Sequence, residues 1–344
     1  MQLTSQNRGY LCQTPDGREV YVPIAYDPET DPYPGPEAAA AIRAYYDQEG
    51  YVVVRGVLPP DDCDAVRAAF KREVAPSRDF FMRHASSRPE RHVFTEHGFM
   101  QFPIMNVQDL PEAKYPQFQH ESLHALTHPN IQQVVGALFD GPGKLMHTMY
   151  FEGNQATWAH QDSYYIDSEE FGRMVGLWIA LEDIQPGAGR FYVYPRSHRL
   201  PIPEKPPSDS NHHAYMQHVV RMIADSDLRC WAPALRKGDA IFWTGKTIHG
   251  SLSTGTPEHS RSALTAHYIP VHHQFMCMRS EILRLAYREV NGVLVHMHHD
   301  LNLWSNRMRF WLWGSFPRLT QRSASAYRKL MRGIWPFRQV LSPH

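Results

Sequence analysis

Apolar residues recur at helical spacing through much of the first part of the chain. Residues 36–48 (PEAAAAIRAYYDQ) combine good helix formers with a proline start, and residues 128–140 (HPNIQQVVGALFD) form a second such segment. Between them, GYVVVRGVL (50–58) is a β-branched run bounded by Gly and Pro-Pro, which predicts a strand. A further helix is predicted after Asp61 or Asp62 as N-cap, with apolar positions at Cys63, Val66, Phe70 and Val74.

From about residue 143 the pattern changes to short runs of β-branched and aromatic residues between turn signals. The runs are KLMHTMYFEG, ATWAHQD, RMVGLWIALED, GRFYVYPRSHR, GDAIFWTGKTIHGS and SALTAHYIP. Several short strands with regular turns predict a closed or sandwich-like β-architecture. The proline-dense PIPEKPPSDSN (201–211) interrupts them as a surface loop or lid, and beyond residue 278 the pattern SEILRLAYREV predicts a return to helix.

Composition narrows the class of protein. The 344 residues are 42% hydrophobic and 12% aromatic, which is ample for a core and argues against disorder. The four cysteines lie far apart with no CxxC pair, which favours a reducing compartment. The first twenty residues contain no apolar signal region, and no run approaches the roughly 18 apolar residues of a transmembrane span. We therefore expect a cytoplasmic, soluble protein.

A net charge of zero hides a basic C-terminal end. Residues 301–344 contain eight basic and no acidic side chains, so the remaining 300 residues carry a charge of −8. Within that end, YRKLMRGIW (327–335) has the spacing of a basic amphipathic helix. Such a helix can pack on its own barrel, lie on a membrane surface, or dock an acidic partner such as a carrier protein. The basic end does not argue for a nucleic-acid partner, and the oligomeric state stays open.

A candidate metal site begins in AHQDSYYIDS (159–168). In an extended chain, His160 and Asp162 point to the same face, although an HxD pair is also common as a structural feature. A third candidate ligand is His249, at the end of the run KGDAIFWTGKTIH, sharing a face with Thr247 and Ser251. Two histidines and one carboxylate with open positions form the facial triad of non-haem Fe(II) oxygenases.

These motifs resemble the phytanoyl-CoA dioxygenase family of Fe(II)- and 2-oxoglutarate-dependent oxygenases. AHQDSYY, GLWIALED, GRFYVYPRSHR, IHGS and SRSALTAHY occur in the family's order and at comparable spacing, over about residues 143–270. The resemblance implies an α+β fold, mostly β: a double-stranded β-helix (jelly-roll, cupin-like) core flanked by helices. One catalytic domain would span 1–344, with N-terminal support at 36–142, the core at 143–270 and a basic helical extension at 278–344.

By this resemblance His160, Asp162 and His249 bind Fe(II), and Arg261 pairs with the far carboxylate of the cosubstrate 2-oxoglutarate. A guanidinium suits that task because it meets a carboxylate with two parallel hydrogen bonds. Arg261 lies one residue further from the histidine than is common in the family, and it could instead be a solvated strand end. Four further residues resemble cosubstrate contacts: Ser251, Trp178, Gln155 and Thr148. Trp178 is equally consistent with a packed core residue, while small Gly176 and Ala180 on its face would leave room for a ligand.

The expected reaction uses O₂ and 2-oxoglutarate to oxidise a C–H bond, with release of succinate and CO₂. Related halogenases lack the carboxylate of the triad, so Asp162 predicts hydroxylation, desaturation or ring formation rather than chlorination. The substrate is expected to be a small molecule, either a specialised metabolite or an acyl derivative, with Tyr164, Tyr165 and Phe191 as candidate lining residues. The alternatives are a catalytically silent ligand-binding protein of the same fold, or a cupin-like metal enzyme that does not use 2-oxoglutarate.

Two other histidine clusters resemble metal sites on paper. They are HHAYMQH (212–218) and HMHHD (296–300). Neither shows strand-borne convergence with a carboxylate, so we expect surface or core histidines there rather than a second metal.

Overall fold

The computed structural model describes residues 2–3, 9–29, 31–153, 155–202, 212–277, 280–281 and 285–317. Six α-helices lie in this part of the chain. They are α1 (Ala39–Glu49), α2 (Pro60–Ala69), α3 (Pro116–Leu126), α4 (Pro129–Phe139), α5 (His212–Ala224) and α6 (Trp304–Ser315). The helices predicted at 36–48, near Asp61 and at 128–140 are confirmed as α1, α2 and α4. Helix α2 begins earlier than expected, with Pro59 as N-cap, so the N-cap assignment to Asp61 or Asp62 is wrong.

Nineteen strands occur in the same described ranges. The first seven are β1 (Gln2–Leu3), β2 (Gly9–Gln13), β3 (Glu19–Pro23), β4 (Tyr51–Val54), β5 (Phe81–Arg83), β6 (Arg88–Glu90) and β7 (Ile104–Met105). The middle of the chain forms β8 (Gly143–Phe151), β9 (Thr157–His160), β10 (Ile166–Ser168), β11 (Val175–Ala180), β12 (Phe191–Val193), β13 (Ala240–Thr244), β14 (His249–Ser251) and β15 (Ala263–Pro270). The last four are β16 (Phe275–Cys277), β17 (Ser280–Glu281), β18 (Ala286–Val290) and β19 (Val293–Met297).

The largest sheet has the strand order β4-β13-β11-β15-β8-β7-β5-β6, with antiparallel pairing along this path. All residues of β11, β13 and β15 are buried. Both faces of the sheet are therefore covered, which explains why these runs are nearly continuous in apolar residues rather than alternating.

One face of this sheet packs against helices α1 to α4. Its core includes Ile42 from α1, Val66 from α2, Phe118 from α3 and Val134 from α4, all fully buried. The helical first part of the sequence is thus a supporting layer. It holds the central strands from behind and leaves their other face for the site.

The opposite face packs against a smaller sheet with the order β12-β14-β9. A second core lies between the two sheets, where Phe191 of β12 packs against Trp243 of β13 with ring centroids 4.9 Å apart. Helix α5 and the β2–β3 hairpin cover the outer side of the smaller sheet through a third core that includes Tyr192, Tyr215 and Val22. The predicted β-architecture from residue 143 onward is therefore confirmed as two packed antiparallel sheets.

The C-terminal extension differs from the prediction. SEILRLAYREV was expected to be helical, but β17 and β18 occupy its described residues, so this expectation is wrong there. The reason is the turn Asn291-Gly292, in which both residues have positive φ (49° and 78°) and close a β18–β19 hairpin. Helix α6 follows at 304–315, whereas the amphipathic segment 327–335 lies outside the described residues. Among the described residues, no helix is both long and apolar enough to cross a membrane.

Candidate metal centre

The smaller sheet brings the two predicted histidine ligands together. Strands β9 and β14 run antiparallel, and their register places His160 directly opposite His249. The imidazole centroids are 4.4 Å apart. Gln161 continues the extended backbone (φ −115°, ψ 125°), so Asp162 follows on the same side before the chain turns into a short 3₁₀ helix.

Asp162 completes the cluster. One potential ligand atom from each of His160, Asp162 and His249 lies within 4.8 Å of the other two. Nε2 of His160 is 3.5 Å from Oδ1 of Asp162, and Nε2 of His249 is 3.6 Å from Oδ2. Adjacent ligands of a transition metal at bond lengths of about 2.1 Å are about 3 Å apart, so small adjustments would accommodate one ion. Among the described residues, no other group of three or more His, Cys, Asp or Glu meets this criterion.

Both histidines are oriented for metal binding by their own backbone. Nδ1 of His160 donates to the carbonyl of Trp158 at 2.8 Å, and Nδ1 of His249 donates to the carbonyl of Thr247 at 3.0 Å. With Nδ1 of each ring bonded to the backbone, Nε2 faces the carboxylate and is the nitrogen available to a metal in the neutral imidazole. In both cases the imidazole bonds the carbonyl of the residue two positions earlier in an extended segment.

The neighbouring groups and burial shift the pKa values of the candidate ligands. Burial raises the pKa of the Asp162 carboxyl, but His249, His267 and His160 outweigh it and hold the pKa well below its usual range. Burial lowers the pKa of His249 to about 4 despite the neighbouring Asp162. The centre therefore offers an ionised carboxylate and, at His249, a neutral imidazole, which are the protonation states that bind a divalent metal.

Two residues that sequence reasoning missed hold the carboxylate. The indole Nε1 of Trp243 donates to Oδ2 of Asp162 at 2.8 Å, and Nε2 of His267 donates to the same oxygen at 3.2 Å. This leaves Oδ1 as the freer oxygen for a metal. Gly176, the register partner of Trp243 on β11, makes room for the indole, because a Cβ there would lie 2.2 Å from it. The expectation that Gly176 leaves space for a bound ligand is wrong: the Trp243 ring fills that space.

Arg261 is a buried cation without a carboxylate partner. Its side chain is 2% exposed, Nη1 donates to the carbonyl of Gly189 at 3.0 Å, and the buried Nε has no hydrogen-bond partner. Burial lowers the pKa of its guanidinium to about 9. No ion pair to Arg261 occurs within the described ranges. Because an uncompensated buried charge is costly, this arrangement calls for an anionic ligand.

The matches with known proteins agree with this geometry. The family model described as Phytanoyl-CoA dioxygenase (PhyH) matches residues 46–263, more than half of the chain. The chain belongs to the phytanoyl-CoA dioxygenase family. Membership of this family, together with the His-Asp-His site, identifies it as an oxygenase of the iron- and 2-oxoglutarate-dependent class.

Relatives within the family are distant. The phytanoyl-CoA dioxygenase domain-containing protein 1 of Danio rerio is 24% identical over 253 residues, covering 64% of this chain and 86% of that protein. The peroxisomal phytanoyl-CoA dioxygenase of Bos taurus is 26% identical over 239 residues, covering 66% of this chain and 67% of that protein.

Solved structures share the fold. The non-heme alpha ketoglutarate dependent carbocyclase SnoK from nogalamycin biosynthesis superposes with a TM-score of 0.53 at 18% identity, covering 71% of this chain and 88% of that chain. The non-heme alpha ketoglutarate dependent epimerase SnoN gives a TM-score of 0.51 at 18% identity, covering 76% of this chain and 99% of that chain.

The other residues predicted to contact the cosubstrate lie in different surroundings. Trp178 is 2% exposed in the core between the sheets and pairs in register with Thr265, whose buried hydroxyl has no hydrogen-bond partner. Ser251 accepts a hydrogen bond from the backbone N–H of Thr157 at 3.0 Å and donates to the backbone carbonyl of Gln155 at 3.1 Å. The Gln155 side chain itself is exposed.

Thr148 is not brought to the centre. Its hydroxyl donates to Oε1 of Gln108 and accepts from the N–H of Val107 at 2.9 Å. It is the register partner of Ala266, which belongs to the core on the helical face of the sheet. The next register pairs, Met149 with Thr265 and His147 with His267, lie on the site face instead.

Among the aromatic lining candidates, Phe191 is nearest to the ligands, since its ring stacks on His249 with centroids 5.4 Å apart. Tyr165 meets His160 edge-on at 6.4 Å. Tyr164 instead stacks on Tyr215 of α5 at 3.6 Å, within the core outside the smaller sheet. Tyr164 therefore acts as a core residue rather than a lining residue.

The two other histidine clusters do not form metal sites in the described residues. His213 of α5 contacts the side chain of Gln217 at 2.9 Å on the helix surface. His296 and His298 both donate to the carbonyl of Met146, at 3.4 and 2.9 Å.

Proposed function

We propose that the protein couples oxidation of 2-oxoglutarate to hydroxylation, or a related oxidation, of an unactivated C–H bond in a small molecule. The observation that carries this proposal is a buried His-Asp-His cluster combined with a buried Arg261 that has no ion-pair partner among the described residues. A metal alone would need only the cluster. A second, dicarboxylate cosubstrate gives the arginine a partner.

Nε2 of His160, Nε2 of His249 and a carboxylate oxygen of Asp162 would hold Fe(II). Nitrogen and oxygen donors with no thiolate suit this ion, and three protein ligands leave positions for other ligands. Iron and 2-oxoglutarate, when bound, supply the oxidising chemistry: O₂ and 2-oxoglutarate are consumed, and succinate, CO₂ and an oxidised substrate are formed. Retention of the carboxylate favours oxygenation over halogenation.

Arg261 would bind the far carboxylate of 2-oxoglutarate through its guanidinium. The unpartnered Nε of Arg261 and the unpartnered hydroxyl of Thr265 supply two buried hydrogen-bonding atoms for that anion. Trp178, beside Thr265 in the sheet, would form an apolar wall. We place Ser251 as support for the smaller sheet, because its hydroxyl already bonds the backbone N–H of Thr157 in β9 and the carbonyl of Gln155, two residues before that strand.

We further propose that the two packed sheets form the double-stranded β-helix expected from the family. The support is the antiparallel pairing in both sheets and the shared core between them, with both histidine ligands on strands of the smaller sheet. Cys12, Cys63 and Cys230 form no disulfide within the described residues, which supports the proposal that the enzyme works in the reducing cytoplasm.

Substrate would approach past Trp158. This side chain is 45% exposed and lies two residues before His160 on β9, on the same face. Together with α5 it lines a pocket of about 700 Å³ whose other lining residues are His213, Met216, Gln217, Val220 and Arg221. The indole, thioether and valine surfaces suit a substrate with an apolar ring or chain.

The decisive experiment measures 2-oxoglutarate binding and uncoupled turnover by the iron-loaded protein. Added anaerobically, 2-oxoglutarate should produce the visible iron charge-transfer band, and O₂ should then yield slow succinate formation. Both signals should disappear in His160→Ala, and Arg261→Ala should need at least about tenfold more 2-oxoglutarate, because a charge-assisted pair is lost.

Arg190→Lys is the matched control. Arg190 is equally buried, but its guanidinium donates to the backbone carbonyls of Pro23, Ile24 and Ile184 and needs no ligand. Its replacement should alter stability and leave 2-oxoglutarate affinity unchanged. An iron-loaded protein without the band would favour a metal enzyme that does not use 2-oxoglutarate, and a band without turnover would favour a silent binding protein.

A further inference from the structure

Exposed apolar side chains concentrate on and around helix α6. Of fourteen large hydrophobic side chains that are exposed in the described residues, six lie between residues 303 and 316. The most exposed of them are Trp304 (68%), Leu303 (53%) and Trp311 (51%). Single exposed apolar residues are ordinary, but a cluster of this density on one helix marks an interaction surface.

These side chains form a stripe along the helix. At 3.6 residues per turn, Trp304, Met308, Trp311 and Leu312 fall on one side of α6. We call these four residues the outer stripe. Each of them is at least 40% exposed.

The opposite side of α6 is anchored to the protein. Phe310 is buried in a small core with Met82 and Leu301, and Trp313 packs at its edge. The ring of Phe80 lies so close to Gly314 that a Cβ there would be 2.6 Å from it. The helix is therefore held in place by one face, and the outer stripe is presented to the surroundings by a rigid support.

Positive charge borders the outer stripe. Arg307 and Arg309 lie on its two sides, and their guanidinium groups donate to neutral acceptors: the carbonyls of Leu301 and Asn302, and the side chain of Asn306. No ion pair to either arginine is found in the described part of the chain. The sequence adds to this charge, since residues 310–344 contain six further basic and no acidic side chains.

We propose that the outer stripe of α6 docks on the surface of an anionic lipid bilayer. Tryptophan is favoured at the membrane interface, and cationic side chains beside an apolar stripe attract acidic headgroups. Helix α6 has 12 residues, a length of about 18 Å against an apolar bilayer core of about 30 Å. It would lie in the interface rather than cross it.

Charge and surface chemistry favour a lipid bilayer over a second copy of the protein, its own C-terminal segment or an acidic protein. A second copy of α6 would bring like charges together, and the C-terminal segment of the same chain is itself basic, so neither complements the arginines. An acidic protein would match the charge. The two tryptophans and the methionine provide a broad apolar surface without specific polar contacts, which favours lipid.

Vesicle flotation of the full-length protein tests the proposal. The protein should float with vesicles of phosphatidylcholine containing about one third phosphatidylglycerol, remain unbound with phosphatidylcholine alone, and dissociate in high salt. Brominated acyl chains should quench part of the tryptophan fluorescence. Trp304→Ser combined with Trp311→Ser should lower binding at least tenfold and abolish that quenching, and Arg307→Gln with Arg309→Gln should reduce binding at low salt.

Leu11→Ser with Tyr21→Ser is the matched control, because these two exposed residues lie opposite each other in the β2–β3 hairpin. This variant should bind vesicles as the unmodified protein does. Unchanged flotation of the double tryptophan variant would overturn the proposal. Two further results would overturn it, because each would show that protein already covers the outer stripe. One is a dimer of the unmodified protein that dissociates in the double tryptophan variant. The other is a melting temperature of this variant that is several degrees lower. Failure of the unmodified protein to bind the anionic vesicles at low salt would overturn it as well.

Discussion

Two hydrogen bonds from residues that are not ligands hold the carboxylate of Asp162. Trp243 and His267 both donate to Oδ2, which fixes the orientation of the group and would leave Oδ1 available to a metal ion. Such supporting contacts commonly change metal affinity by about 10- to 100-fold when they are lost. Neither residue is a ligand, so they act by positioning.

Trp243→Phe should weaken Fe(II) binding about tenfold, because the indole N–H to Asp162 is lost while most of the ring packing remains. Anaerobic iron titration measures the affinity, and thermal unfolding of the metal-free protein reports any loss of fold. Trp231→Phe is the control, since the indole of Trp231 donates instead to the hydroxyl of Tyr33 at 3.1 Å. Equal iron affinities in the two variants would contradict a positioning role for Trp243.

At the scale of elements, the pairing of β11 with β13 depends on one glycine. Gly176→Ala should destabilise the fold by about 1–3 kcal/mol and weaken iron binding, because the new Cβ would lie 2.2 Å from the Trp243 indole. Gly136→Ala, the comparison variant, should instead stabilise the fold. Gly136 lies inside helix α4, and outside the helix backbone the nearest atom to the new Cβ would be the carbonyl oxygen of Gly141 at 3.9 Å, so the alanine should stabilise the protein by up to about 1 kcal/mol. Urea unfolding of both variants distinguishes these signs.

The hydroxyl of Tyr215 connects helix α5 to the turn that contains His160 and Asp162. The backbone N–H of Gln161, between two of the ligands, donates to the hydroxyl of Tyr215 at 2.7 Å, and that hydroxyl donates to the Gln161 carbonyl at 3.1 Å. Because this backbone is buried, removal of the hydroxyl leaves polar groups without partners.

Tyr215→Phe should therefore destabilise the protein by about 1–3 kcal/mol and accelerate hydrogen exchange at the Gln161 amide. Urea unfolding and amide exchange measured by NMR provide the two readouts. Tyr45→Phe should cost less, since the hydroxyl of Tyr45 bonds the hydroxyl of Tyr51 near the surface. Unchanged exchange at Gln161 would show that α5 does not stabilise the turn.

At the scale of the whole molecule, buried histidines couple stability to pH. Burial lowers the pKa of His296 to about 4 and that of His298 to about 3, and burial with Arg83 lowers the pKa of His92 to about 4. The same cause lowers the pKa of His249 and of His147. In the opposite sense, burial raises the pKa of Asp109 to about 7 and that of Asp167 to about 6.

Between about pH 4 and 6.5 the unfolded chain binds protons on these five histidines that the folded chain does not, while two carboxyls hold protons only when folded. Stability of the metal-free protein should therefore rise with pH across this window, by at least about 1.4 kcal/mol per pH unit, the equivalent of one net proton. Urea unfolding at several pH values measures the slope. His296→Asn should flatten it and Asp109→Asn should steepen it, whereas a slope that falls with pH would contradict the assignment.

Local patterns in the sequence predicted the helices α1, α2 and α4, the strand-rich second part of the chain and the three candidate metal ligands. His160 and Asp162 are two residues apart at a strand end, so their convergence depends only on the period of an extended chain. The helical expectation for SEILRLAYREV was wrong because its apolar spacing competes with the Asn291-Gly292 hairpin turn. Thr148 was assigned to the wrong face because the face of a strand residue depends on its register with a distant partner.

Contacts between remote segments belong to the tertiary structure. Trp243 reaches Asp162 only because β11 presents Gly176 opposite it, and His267 reaches the same carboxylate from β15. The residue types of a site follow from its chemistry and are visible in the sequence. The groups that orient them, and the face of α6 that remains uncovered, depend on sheet register and helix packing, which long-range burial selects.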